Sequence, residues 1–108
     1  MNQLNIEERR EGTFTVLVLT GPVNSYTFTE FQDRVYRTVR ETDTAVDMEH
    51  VTTLSSAGLG ALMVALEDAE AAGKKLWILK PSEIVRLAIE STGFSDRFPV
   101  TRTLKGLA

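Results

Sequence analysis

The chain of 108 residues is long enough for one domain with one hydrophobic core and too short for two. With 43% hydrophobic and 25% charged residues it has the balance of a water-soluble globular fold, and no apolar run approaches the roughly 18 residues that span a bilayer. A net charge of −3, with Arg34, Arg37 and Arg40 diluted by Glu30, Asp33, Glu41 and Asp43, lacks the basic stripe of a nucleic-acid binder. The absence of cysteine excludes disulfides and thiolate metal sites and fits a reducing compartment. Residues 1–12, MNQLNIEERREG, lack the basic-then-apolar order of a signal peptide. A cytoplasmic protein with no direct membrane insertion is expected.

Residues 4–9 partly alternate apolar and polar, Glu11-Gly12 offers a turn, and FTVLVLT at 14–20 is rich in β-branched residues. This pair reads as a β-hairpin whose second strand is buried on both faces and ends at Gly21-Pro22. Phe28, Phe31, Val35 and Val39 then recur at three- and four-residue steps, the pattern of one helix face. Thr27 and Glu30 have the spacing of a capping box. Residues 44–48, TAVDM, read as a short strand. A second helix is expected over 56–72, with Leu59, Leu62, Met63 and Leu66 inward and Gly73 at its left-handed end.

Leu76-Trp77-Ile78-Leu79 reads as an interior strand between Lys75 and Lys80-Pro81. Ser82 caps a third helix, with Ile84, Leu87 and Ala88 inward and Gly93 closing it. A weak last element lies around 99–103, before a short terminal helix. The order β-β-α-β-α-β-α, with a right-handed crossover between the strands at 44–48 and 76–79, predicts an α/β fold. The hairpin makes its sheet mixed, with helices packed on it.

Little in this order suggests catalysis. There is no P-loop, and Gly58-x-Gly60 fails as a dinucleotide fingerprint because Met63 stands where a small residue is needed. His50 is the sole histidine, no G-x-S-x-G elbow surrounds either serine, and Asp47 and Glu49 offer poor geometry for a carboxylate pair. No enzyme activity and no cofactor are expected.

The remaining signal is VTTLSSAGLGALM at 51–63. A serine before a helix caps it, for roughly 1 kcal/mol. The two glycines let the helix lie close to the sheet, or leave room for another protein. A helix N-terminus also tolerates a phosphate, because its free amides and partial positive charge meet about two negative charges. Those are the requirements of a reversible binding switch.

With that stretch the chain resembles the anti-sigma factor antagonist family, the stand-alone STAS domains. The family's strand ending in Asp-Leu, followed by Asp-Ser-(Ser/Ala/Thr)-Gly-Leu-Gly at a helix start, is matched from Asp47-Met48 to Leu54-Ser55-Ser56-Ala57-Gly58-Leu59-Gly60. Val85-Arg86-Leu87, Thr92-Gly93-Phe94 and Phe98 match the family's third helix and the turn after it, and the Gly21 turn also fits. The resemblance covers essentially the whole chain and implies a single STAS domain over 1–108. It implies that Ser56 is phosphorylated by an anti-sigma factor serine/threonine kinase. The unmodified domain would bind that kinase and free a sigma factor, the phosphorylated domain would release it, and a serine phosphatase would reset the switch. The family usually has aspartate before the phosphorylated serine; here Ser55 stands there and is an alternative acceptor. Partner contacts are expected from Ser25, Thr52, Thr53, Ser55, Ala57, Gly58, Leu59 and Gly60, although Leu59, like Met63, also has core spacing. The alternative is a phosphorylation-independent STAS scaffold subunit of a membrane lipid-transport ATPase complex; a small nucleotide-binding enzyme is the weakest reading.

Overall fold

In the computed structural model, which describes residues 3–107, the first two strands form the expected hairpin. β1 (Asn5–Glu11) runs antiparallel to β2 (Phe14–Val23), in register from Asn5 opposite Thr20 to Glu11 opposite Phe14. β1 is an edge strand, and its exposed run of Glu7, Glu8, Arg9, Arg10 and Glu11 blunts that edge against pairing with another chain. β3 (Thr44–Leu54), β4 (Leu76–Leu79) and β5 (Val100–Thr101) complete a sheet of order β1-β2-β3-β4-β5, in which every pair after the hairpin is parallel. The sheet is therefore mixed, as the element order predicts.

Two strands run further than their sequences suggest. β2 does not end at Gly21-Pro22 but continues to Val23, and β3 has 11 residues where only 44–48 reads as strand. Polar Glu49 and His50 look like a loop, yet they ride on a bulge. Between Val18 opposite Asp47 and Thr20 opposite His50, two steps of β2 face three of β3. The buried Asp47 carboxylate accepts a hydrogen bond from the Glu49 amide at 3.1 Å, which satisfies the bulged backbone. A second shift falls between Gly21 and Pro22, where a proline without an amide costs the ladder least.

β2 is buried on both faces because each face meets its own cluster. Leu17 and Leu19 join Phe31, Val35, Met48, Leu62 and Ile78 in the main core. Phe14 and Val16 join Ala45, Leu79 and Leu104 in a second, smaller one. The chain after β5 supplies Leu104 to that face and then makes a turn at 105–106, so among the described residues the expected terminal helix is absent.

α1 (Phe28–Glu41) buries Phe31, Val35 and Val39 and half-buries Phe28, on the expected face. Its start differs from a capping box. Thr27 already has helical backbone angles (φ −106°, ψ −4°), and its hydroxyl turns back to the preceding loop. There it donates to the Pro22 carbonyl and accepts from the Asn24 amide, both at 2.9 Å.

α2 (Ser56–Ala71) buries Gly58, Ala61, Leu62, Ala65 and Ala69. Of the expected inward set only Leu62 is fully buried, while Leu59, Met63 and Leu66 pack half-buried along the flanks. The helix is apolar on most sides, so it approaches closest along its small residues, where the backbone gets nearest to the sheet and α1. α3 (Glu83–Glu90) shows a larger difference. It buries Val85 and Ile89, whereas Ile84 and Leu87 stand 48% and 52% exposed and Ala88 is half-buried. Ser82 sets this rotation: its amide donates to Met48 O at 3.0 Å, its hydroxyl donates to Val51 O at 2.9 Å, and its oxygen accepts from the Val85 amide at 3.3 Å. A 3-10 turn (Ser95–Arg97) then leads to β5.

Candidate functional site at the start of the second helix

The carboxyl ends of β2 and β3 are tied together. Val23 pairs with Leu54, and the Ser55 amide donates to the Val23 carbonyl at 2.9 Å. This places the loop before α1 against the first turn of α2. Ser55 has the extended backbone of a cap residue (φ −72°, ψ 163°), and its Oγ accepts from the Gly58 amide at 3.1 Å. Its carbonyl accepts from the Leu59 amide at 2.9 Å, closing the first turn.

The two serines therefore differ in kind. Ser55 is half-buried and its oxygen is committed to the cap. Ser56 is the first residue of α2 and exposed, and among the described residues its hydroxyl makes no hydrogen bond. Helix geometry leaves the amides of Ser56 and Ala57 to solvent, and the first turn carries no acidic side chain to offset their partial positive charge. An anion covalently attached at Ser56 would meet favourable electrostatics at a position that is exposed among the described residues.

Around this serine Thr52, Thr53, Ala57 and Gly60 are exposed, Leu59 is half-buried, and Ser25 lies exposed on the loop between β2 and α1. Of the two readings of Gly58, the structure favours close packing on the sheet over clearance for a partner. The residue is buried, and a Cβ there would come within 2.7 Å of Val23 Cγ1 and 3.0 Å of Leu54 Cδ1. The helix start needs glycine because it sits directly on the ends of β2 and β3. Gly60 has open space around it and presents bare backbone to solvent.

The loop between β2 and α1 is built as an Asx turn: Asn24 Oδ1 accepts from the amides of Tyr26 at 2.9 Å and Thr27 at 3.2 Å. On this turn Tyr26 stands 93% exposed. In the sequence a single tyrosine between a serine and a threonine has no periodicity to mark it. The available signal was Asn24 two residues earlier, which orders the turn and leaves the next side chains no core to enter.

His50 is exposed, and its Nε2 lies 3.7 Å from Glu49 Oε1; it pairs with neither serine. A groove of about 750 Å³ lined by Met63, Leu66, Trp77 and Phe98 lies along the later turns of α2, away from Ser56. Among the described residues no helix is long and apolar enough to cross a membrane.

The family model for the STAS domain matches residues 5–107, and the chain belongs to that family. Its fold is similar to that of an anti-sigma factor antagonist from Mycobacterium paratuberculosis, with 19% identity and a TM-score of 0.82 over 94% of this chain and 87% of that one. It is also similar to the anti-sigma factor antagonist SpoIIAA in its unphosphorylated form, with 14% identity and a TM-score of 0.75 over 95% of this chain and 93% of that one. The Bacillus cell fate determinant SpoIIAA in its phosphorylated form is a third, with 15% identity, a TM-score of 0.69 and coverage of 96% of each chain. The shared architecture is the mixed five-stranded sheet with its helices.

Proposed function

We propose that this STAS domain is an anti-sigma factor antagonist switched by phosphorylation of Ser56. Unmodified, it docks on an anti-sigma factor serine/threonine kinase through the first turn of α2 and the neighbouring loops, and so frees a sigma factor for transcription. The kinase transfers the γ-phosphoryl group of ATP to Ser56: the Oγ–P bond forms, the bond to the ADP oxygen breaks, and the hydroxyl proton passes to a base of the kinase. The domain is then released, and a serine phosphatase hydrolyses the phosphate to restore it.

The observation that carries this reading is the contrast between the two serines, with Ser56 exposed on the first turn and Ser55 engaged beneath it. A transferable phosphate needs an accessible hydroxyl, and a switch needs the fold to survive modification. The helix start meets both needs. Burying an unpaired phosphate in an interface costs several kcal/mol, and about 3 kcal/mol changes affinity more than a hundredfold. The modification therefore has ample size to dissolve a complex without touching the core.

The test is incubation with ATP and the anti-sigma kinases of the same genome, followed by mass spectrometry to locate added phosphate. One phosphate on Ser56 is expected. Phosphate on Ser55 alone would move the switch to the wrong residue. No phosphate with any kinase, together with co-purification on a membrane lipid-transport ATPase, would replace this reading with the scaffold one.

A further inference from the structure

We propose that Tyr26 is the anchor of this docking surface, the side chain that the kinase must seat in a cleft of its own before Ser56 can be reached. The inference rests on the phosphorylation-switch reading and names the residue that supplies most of the recognition. At 93% exposure Tyr26 packs on almost nothing among the described residues. A tyrosine offers a large, rigid, amphipathic surface and loses little conformational freedom when it is gripped, which is why tyrosine is enriched among the few residues that dominate interface affinity.

Two observations order its loop, and a third ties that loop to this site. The Asx turn of Asn24 holds the Tyr26 amide at 2.9 Å and the Thr27 amide at 3.2 Å. The Thr27 hydroxyl pins the same turn to the Pro22 carbonyl at 2.9 Å, so the ring is displayed from a pre-ordered loop. The bond from the Ser55 amide to Val23 O, also 2.9 Å, joins the strand that leads into this loop to the residue preceding Ser56. Tyr26 thus lies three positions beyond Val23 and Ser56 one beyond Ser55, on either side of a single tie. The loop that carries Tyr26 is thereby held beside the first turn of α2, and the proposal is that a partner covering Ser56 reaches it. The turn uses only the backbone amide of Tyr26, so its ring can be changed without disturbing the loop.

The experiment is titration of the kinase, with ADP bound, into the full-length protein and its Tyr26→Ala and Tyr26→Phe variants. Val100→Ser, an exposed apolar site on β5, which β3 and β4 separate from β2, serves as control. Tyr26→Ala is expected to weaken binding about thirtyfold or more, while Tyr26→Phe and Val100→Ser stay close to the unsubstituted protein and all three keep its melting temperature. In the phosphorylation assay Tyr26→Ala raises KM with little change in kcat, an effect that damage to the fold would not produce. If the unsubstituted protein binds the kinase and Tyr26→Ala binds equally well, the assignment of Tyr26 is overturned and the Ser56 reading stands. If the unsubstituted protein binds no kinase, the proposed function falls and Tyr26 with it.

Discussion

Ser56→Asp is expected to weaken binding of the anti-sigma kinase about a hundredfold or more while leaving the folded domain intact. The substitution puts a permanent negative charge where the interface must close, and desolvating an unpaired charge there costs several kcal/mol. The same charge suits the fold. At the first position of α2, beside free amides and with no acidic side chain in the turn, a carboxylate contributes about 0.3–1 kcal/mol to helix stability. Binding and melting temperature should therefore move in opposite directions, which separates a switch from simple damage. Ser56→Ala is the complement: it binds as the unmodified protein does and stays bound in the presence of ATP. Calorimetric titration and thermal unfolding of both variants check this, and equal affinity for Ser56→Asp and the unsubstituted protein would contradict it.

The largest expected effect on stability comes from Gly21→Ala. Gly21 sits in β2 with φ +111°, and a Cβ there would lie 2.5 Å from the backbone oxygen of Gln3. Backbone strain of about 1–3 kcal/mol adds to a comparable penalty for overpacking, so a loss of about 4 kcal/mol is expected. For a domain of this size that lowers the melting temperature by about 15 °C or more. The consequence reaches the site, because Gly21 lies two residues before Val23, whose carbonyl holds the Ser55 amide. Differential scanning calorimetry would contradict the account if the variant melted within about 2 °C of the unsubstituted protein.

How far the sequence foretold this molecule depends on how local each cause is. β4 was legible to the residue, because LWIL is an apolar run between a lysine and Lys80-Pro81. The Ser55 cap, the start of α2 and the inward stripe of α1 were legible for the same reason: each is settled within a turn of helix. The rotation of α3 was not. Ile84, Leu87 and Ala88 make as good a stripe as Val85 and Ile89, and the choice falls to hydrogen bonds from Ser82 to Met48 and Val51, more than thirty residues earlier in the chain. The ends of β2 and β3 were hidden by their bulges, which shift the alternation that marks a strand. The capping box at Thr27 loses to a competing loop, whose acceptor at Pro22 O lies on a strand that continues past the Gly21-Pro22 turn signal.

The site divides in the same way. Ser55 and Ser56 stood out because two hydroxyls before a glycine-spaced helix form a compact motif. Which one is committed to the cap follows from a single angle pair and one 3.1 Å bond. For Gly58 the sequence leaves close packing and clearance for a partner equally open, because it does not show that Val23 and Leu54 fill the space beside it. Tyr26 was invisible because exposure is a property of the whole fold.

The most direct measurement uses the natural modification. The kinase is titrated into the domain phosphorylated to completion on Ser56, then into the same sample after treatment with a serine phosphatase. Affinity at least about a hundredfold weaker for the phosphorylated form, fully regained on dephosphorylation, is the predicted result. Equal affinity before and after removal of the phosphate would contradict the claim that charge at the first turn of α2 governs docking.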